Sequence, residues 1–226
     1  MADVELSMAD VTATAQTLTT LRARLRQDLH DEDSANYRWT DAVLNRHVAR
    51  ALRELALAYP RERLSVLSTT IGSREISITG LTDLVRVLAV EWPVGEYPPA
   101  YVAFSVYGTT LTLLTETEPA AVEDVNLFWG SLHTVDGSQS TLPAPAEDAL
   151  LLGAGGYAAV EWASFATNRA NVSGAQAAEQ YLKWGQAQLA RFAEQLRGFG
   201  EKARLRSSAA FTPGGPAGRN VVTWEP

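Results

Sequence analysis

The 226-residue chain has no cysteine, which excludes a disulfide scaffold, thiolate metal sites and a cysteine nucleophile. A cysteine-free chain is indifferent to redox, so the compartment stays open on this ground. Lysine is nearly absent as well, with Lys183 and Lys202 alone among the arginines. No apolar run reaches the roughly 18 residues that a membrane span needs. The longest, Ala149 to Val160, includes three glycines and stops at Glu161. Met1 to Glu5 has no basic region and no apolar core, so no signal peptide is expected and no membrane partner either. Histidine is scarce. His30, His47 and His133 lie far apart and make no HExxH-type pair. There is no GxGxxG, no GxxxxGK[ST] and no GxSxG elbow. The net charge of −7 argues against a large nucleic-acid footprint.

What is present suits a globular protein. Hydrophobic residues make up 46% and charged residues 20%, ordinary values for a chain that buries a core. At about 150 residues per domain, the length allows one or two domains.

The first zone is helical. Leu18, Leu21, Leu25 and Leu29 fall at helical spacing, and a polar loop follows from Asp31 to Tyr37. Thr40 is placed to cap a second helix, and Asp41 favours its positive end. Trp39 before the cap and Leu44 inside the helix make a hydrophobic staple. Leu44, Val48, Ala51, Leu55 and Tyr59 form its apolar stripe, and Pro60 ends it.

The second zone reads as β. Six strands are expected over 64–71, 75–78, 85–92, 101–107, 110–114 and 125–129, split by Gly and Pro turns. That pattern suits an antiparallel sandwich or small barrel. The third zone is helical again. One helix is expected from Pro145 to about Arg169. Its Gly153, Ala154, Gly155 and Gly156 are tolerable where another backbone packs closely. A second follows Ser173, which with Gln176 fits a capping box. Gly198 and Gly200 are expected to end it. From Ser207 onward the chain reads as an extended tail.

The fold class is therefore α+β. A four-helix bundle is expected from N- and C-terminal helix pairs, residues 1–60 with 145–206. An antiparallel β-sandwich or barrel, residues 61–144, is inserted into it. An extended C-terminal tail covers 207–226.

Chemistry is sparse. His47 reads as an exposed or rim residue. His30-Asp31-Glu32-Asp33 reads as a solvated acidic loop, since Asn36 stands where a calcium loop needs glycine. Glu116 and Glu118 lie in a turn where solvation explains them. No catalytic constellation, metal site or cofactor site is expected, so the chain reads as a non-enzyme. Charge is distributed unevenly. Between Asp83 and Asp148 ten acids, Glu123 and Asp124 among them, face Arg86 as the only base. The plain reading of such a surface is solvation.

Asn36-Tyr37-Arg38-Trp39-Thr40-Asp41, followed by Ala51-Leu52-Arg53-Glu54-Leu55, resembles the opening helices of tailed-bacteriophage head-to-tail adaptor proteins. Glu91-Trp92-Pro93 and Tyr97 to Phe104 resemble the β part of those adaptors that carry an insertion. The resemblance spans roughly Leu18 to Gly200. It implies a structural virion protein forming a ring, dodecameric in the family's usual form. The ring would dock under the portal protein, extend the DNA channel and present a platform to the next neck or tail protein. It implies localisation at the head-to-tail interface, after assembly in the host cytoplasm. It implies roles in genome packaging and ejection, with double-stranded DNA passing without specific binding. The tail would then dock on the portal or a neighbouring subunit through Phe211, Val221, Val222 and Trp224. Glu116, Glu118, Glu123 and Asp124 would line the channel or the tail-facing rim, where negative charge repels DNA. Two other functions compete with this. One is a small-ligand or glycan-binding β domain using Trp92, Tyr97, Tyr101 and Trp129, aromatics that core and hairpin pairing explain more simply. The other is an enzyme whose site is assembled from distant carboxylates.

Overall fold

The computed structural model describes residues 16–167 and 174–206. Four helices and six strands follow in the order α1 (Leu18–Asp28), α2 (Asp41–Ala58), β1 (Arg61–Ser68), β2 (Glu75–Ser77), β3 (Leu84–Glu91), β4 (Phe104–Tyr107), β5 (Thr110–Leu113), β6 (Asp124–Ser131), α3 (Ala144–Thr167) and α4 (Gly174–Arg206). The class is α+β.

The first two helices start where their cap chemistry dictates. The Thr17 hydroxyl accepts from the Thr20 amide, and the Thr40 hydroxyl accepts from the Val43 amide at 3.4 Å. Helix α2 stops at Tyr59, before Pro60. The stripes Leu21, Leu25, Leu29 and Leu44, Val48, Ala51, Leu55 are all buried. They pack on α3, whose Ala146, Ala149, Leu150, Ala154, Ala158 and Ala159 are buried as well. A helix apolar all round is a helix surrounded, and α3 is the centre of the bundle. Helix α4 closes it through Phe192.

The glycine run of α3 marks close approach. A Cβ on Gly156 would lie 2.7 Å from Leu189 Cγ and 3.0 Å from the Gly185 carbonyl oxygen. A Cβ on Gly153 would lie 2.9 Å from that of Ala51. Gly198 and Gly200 do not end α4, which continues to Arg206. Each glycine costs only about 1 kcal/mol in a helix, and Phe199 between them is anchored on Tyr59, ring centroids 5.1 Å apart. The Ser173 cap lies outside the described residues.

The β zone forms two three-stranded antiparallel sheets, ordered β1-β6-β3 and β2-β5-β4. They face each other across one core: Ile76, Leu111 and Leu113 on one side, Val90, Val125, Leu127 and Trp129 on the other. The barrel alternative fails, since no named strand of one sheet pairs with a named strand of the other; residues 100–103 only link them through isolated bonds to Val90, Trp92 and Leu114. Strand β1 begins at Arg61, three residues before the expected start, directly after Pro60. Of the expected fourth strand, Tyr101 makes only an isolated bridge with Glu91.

The two parts meet at Tyr59 and Pro60. Pro60 packs on Gly130, where a Cβ would come within 2.7 Å of the proline ring. The His133 ring stacks on Tyr59. Its Nε2 lies 3.0 Å from the Tyr59 carbonyl oxygen, and its Nδ1 lies 3.1 Å from both the carbonyl and the hydroxyl of Thr141. Burial holds the His133 pKa below its ordinary value, although both carbonyls favour the charged ring. A histidine held neutral contributes stability that is full above the unfolded-state pKa, about 6.5. That stability is lost as pH falls below it. His47 is shifted the same way. The melting temperature should therefore fall between pH 7.5 and pH 5.5, and His133→Gln should make the fall shallower. Identical falls in both proteins would remove His133 as a source.

Candidate interaction surface

Several buried polar groups of the bundle are engaged with one another. The Arg26 guanidinium, buried between α1 and the following loop, pairs with Asp31 and donates to the Trp39 carbonyl at 3.0 Å and to Asp41 at 2.7 Å. It lies over the Tyr37 ring, 3.5 Å from the centroid. Asp31 also accepts from the Arg38 amide. The Trp39 indole is buried and donates to the Ala158 carbonyl on α3. So the Asn36–Asp41 segment, which carries part of the resemblance noted in sequence, fastens a loop to the bundle. His47 is not a rim residue. It is 5% exposed and faces Glu161 of α3, whose Oε2 lies 2.8 Å from Nε2. That nitrogen has no aligned hydrogen bond, and burial lowers the ring's pKa, so the contact is a close approach to a carboxylate that Arg46 pairs with.

The β part differs. Ten of the fourteen large apolar side chains exposed among the described residues lie between Leu64 and Val122. The sheet β1-β6-β3 turns Val125, Leu127 and Trp129 inward. By alternation it turns Leu64, Val66, Asn126, Phe128, Ala89 and Glu91 to the opposite face. Over β3 that face is covered. Tyr101 packs edge-on against Phe128, centroids 6.1 Å apart. Glu91, 8% exposed, accepts from the Asn126 amide at 2.9 Å. Over β1 it is open, with Leu64 56% and Val66 59% exposed. Strand β1 pairs with β6 only, so its second edge has no strand partner among the described residues.

The acids singled out in sequence come to one end of the β part, and two are engaged internally. Glu118 pairs with Arg74 at 2.7 Å, an arginine outside the acidic stretch. Glu123 accepts from the Trp92 indole at 2.8 Å. Glu116 and Asp124 are exposed. The same guanidinium binds the backbone carbonyls of Thr115 and Glu116, which fixes the 114–123 loop. Of the aromatics, Trp129 is core and Tyr101 is a cross-strand partner. Tyr97 departs from the core expectation, at 97% exposed. The four therefore form no shared binding platform. Phe211, Val221, Val222 and Trp224 lie outside the described residues. No group of three or more His, Asp or Glu side chains suited to a metal occurs among the described residues.

No family model matches the sequence. No curated protein matches it either. One solved structure, titled as the neck of an empty GTA particle computed with C6 symmetry, aligns with 66% of this chain and 80% of its own. The identity is 17% and the TM-score 0.29.

The open face of β1 was missed in sequence. Strand patterning places Leu64 and Val66 together on one face. It does not reveal how far Leu64 and Val66 stay exposed there.

Proposed function

We propose that the protein is a structural, non-enzymatic virion component: a head-to-tail connector that closes into a ring, dodecameric as the family resemblance implies. The ring joins the portal protein to a neck or tail protein and extends the DNA channel. The observation that carries this reading is the division of surface. Most of the buried polar side chains described in the helical bundle find partners within it, whereas the β part carries ten of the fourteen exposed large apolar side chains among the described residues, a number that marks contact with other proteins. The motifs at Asn36–Asp41 and Tyr97–Phe104 support it by resemblance.

The exposed acids suit the channel or its tail-facing rim. A groove of lysines and arginines would bind the phosphate backbone tightly and salt-dependently; a conduit needs DNA to slide. A ring multiplies the negative field, though physiological salt screens it beyond about 8 Å. Replacing Glu116, Glu118, Glu123 and Asp124 with lysine should impair packaging, retention or ejection of DNA. If all three are unchanged, the acids do not line the path.

The test of the whole reading is the native mass and electron-microscope image of the full chain, alone and with its portal protein. A closed ring, formed alone or on the portal, is expected. A protein that stays monomeric in both would overturn it. Removing residues 207–226 should leave the monomer's melting temperature within about 2 °C, since a segment rich in Ser, Pro and Gly has little to add to a core. It should nonetheless weaken assembly. Each buried apolar anchor, Phe211 or Trp224, contributes about 1–3 kcal/mol at an interface.

A further inference from the structure

We propose that the cleft between the C-terminal end of α1, α3 and α4 binds an organic cation, an ammonium or guanidinium group on a short apolar stem. The site lies in the helical bundle and stands independently of the connector reading.

The cleft has a volume of about 360 Å³ and is lined by Gln27, Asp28, His30, Leu151, Trp184 and Gln188. Small-molecule sites begin at about 300 Å³. Its inner walls are fixed by packing. Leu151 is buried and belongs to the bundle core. The Trp184 ring reaches α3 at Gly155, where a Cβ would lie 3.4 Å from the ring's Cη2. Gln188 stands one turn further along α4 and shares that face. His30, left-handed at φ 51°, follows the end of α1 and completes the rim.

The polar side chains of the cleft differ from those around it. Elsewhere in the bundle Arg22, Arg24, Arg26, Arg38 and Arg46 each hold a hydrogen-bonding or ionic partner. Among the described residues, no side-chain hydrogen bond or ion pair engages Gln27, Asp28, His30, Trp184 or Gln188. Five side chains able to donate or accept hydrogen bonds therefore converge on one space.

Charge selects the ligand. Asp28 is the only carboxylate lining the cleft. Partial burial raises its pKa above the ordinary value, because its charged form loses solvation there. Arg24 acts against that shift, yet its guanidinium is held by Asp148 at 2.7 Å. Asp148 in turn adds negative field at Asp28. The end of α1 brings partial negative charge to the same side. All three disfavour an anion. A hard metal ion requires a shell of oxygen ligands, and here one carboxylate stands among an indole, an imidazole and a leucine. An organic cation matches every wall. Asp28 pairs with its charge, the Trp184 ring attracts it, Leu151 packs on its stem, and the Gln27 and Gln188 carbonyl oxygens accept its remaining N–H groups.

Calorimetric titration of the full chain with n-butylguanidinium tests this. Saturable binding with a Kd of about 1 mM or tighter is expected. The uncharged n-butylurea, equal in shape, should bind about tenfold more weakly or worse. Asp28→Asn keeps the shape of the side chain and removes its charge, and should weaken n-butylguanidinium about tenfold. Magnetic resonance of the unaltered protein provides a readout without variants: the Trp184 indole and Gln188 amide signals should shift with the calorimetric Kd. Nα-acetyl-arginine methylamide separates the two sources of such a group. If it binds at least as tightly as n-butylguanidinium, the ligand is an arginine of a partner protein; if more weakly, it is a free cation. No saturation below about 20 mM, equal binding of the urea, equal binding by Asp28→Asn, or shifts that bypass Trp184 and Gln188 would each overturn the proposal.

Discussion

Arg26→Ala is expected to cost about 3–5 kcal/mol of folding stability, the loss typical of breaking a buried ion pair from one side. The side chains of Arg26 and Asp31 are 7% and 5% exposed. Removing the guanidinium leaves the Asp31 carboxylate in the interior with only backbone donors, among them the Arg38 amide at 2.6 Å. It also removes the donor to the buried Trp39 carbonyl and the stacking partner of Tyr37. The Asp41 contact adds little, because that carboxylate is largely exposed. Arg26→Met/Asp31→Asn should recover part of the loss, since no uncompensated charge then remains while the loop amides keep an acceptor. Urea unfolding of the three proteins decides this. A loss below about 1 kcal/mol for Arg26→Ala would place the pair in the class of exposed salt bridges.

That network shows where sequence reading reaches its limit. Leu21 and Leu25 are legible as core because helical spacing carries them to one face. Arg26 sits beside that stripe and looks like a surface cation, since its burial depends on a loop folding back from Asp31 to Asp41. His47 is misread for the same reason: its partner Glu161 is more than a hundred residues away, on α3. The antiparallel strands are legible from alternation and turns. The choice between sandwich and barrel is not, because closure depends on pairings between strands distant in sequence. The acids behave likewise. Glu116 and Asp124 are exposed as composition suggests. Glu118 and Glu123 find Arg74 and Trp92, which lie 44 and 31 positions away. Local pattern thus assigns elements and faces, and it is blind to what long-range pairing consumes or leaves open.

Glycine provides the sharpest case, and two substitutions should move stability in opposite directions. In helix interiors alanine is favoured over glycine by about 1 kcal/mol. At Gly198 an added Cβ meets nothing within 4 Å, so Gly198→Ala should stabilise by about 0.5–1 kcal/mol. At Gly156 the same methyl would meet Leu189 Cγ at 2.7 Å and the Gly185 carbonyl oxygen at 3.0 Å. Neither is the far end of a flexible side chain, so α3 and α4 must separate. Overpacking of this kind costs about 1–3 kcal/mol, which offsets the propensity gain and leaves Gly156→Ala neutral to destabilising. Gly156→Val adds two further methyl groups at the same contact and a β-branched residue in a helix. Its expected loss is about 3 kcal/mol or more. Leu189→Ala in the Gly156→Ala background should relieve part of the clash, a coupling expected only between touching residues. Chemical unfolding of the set measures it. If Gly156→Val unfolds at the same midpoint as Gly198→Ala, the two helices do not meet at Gly156 and the glycine run has another cause.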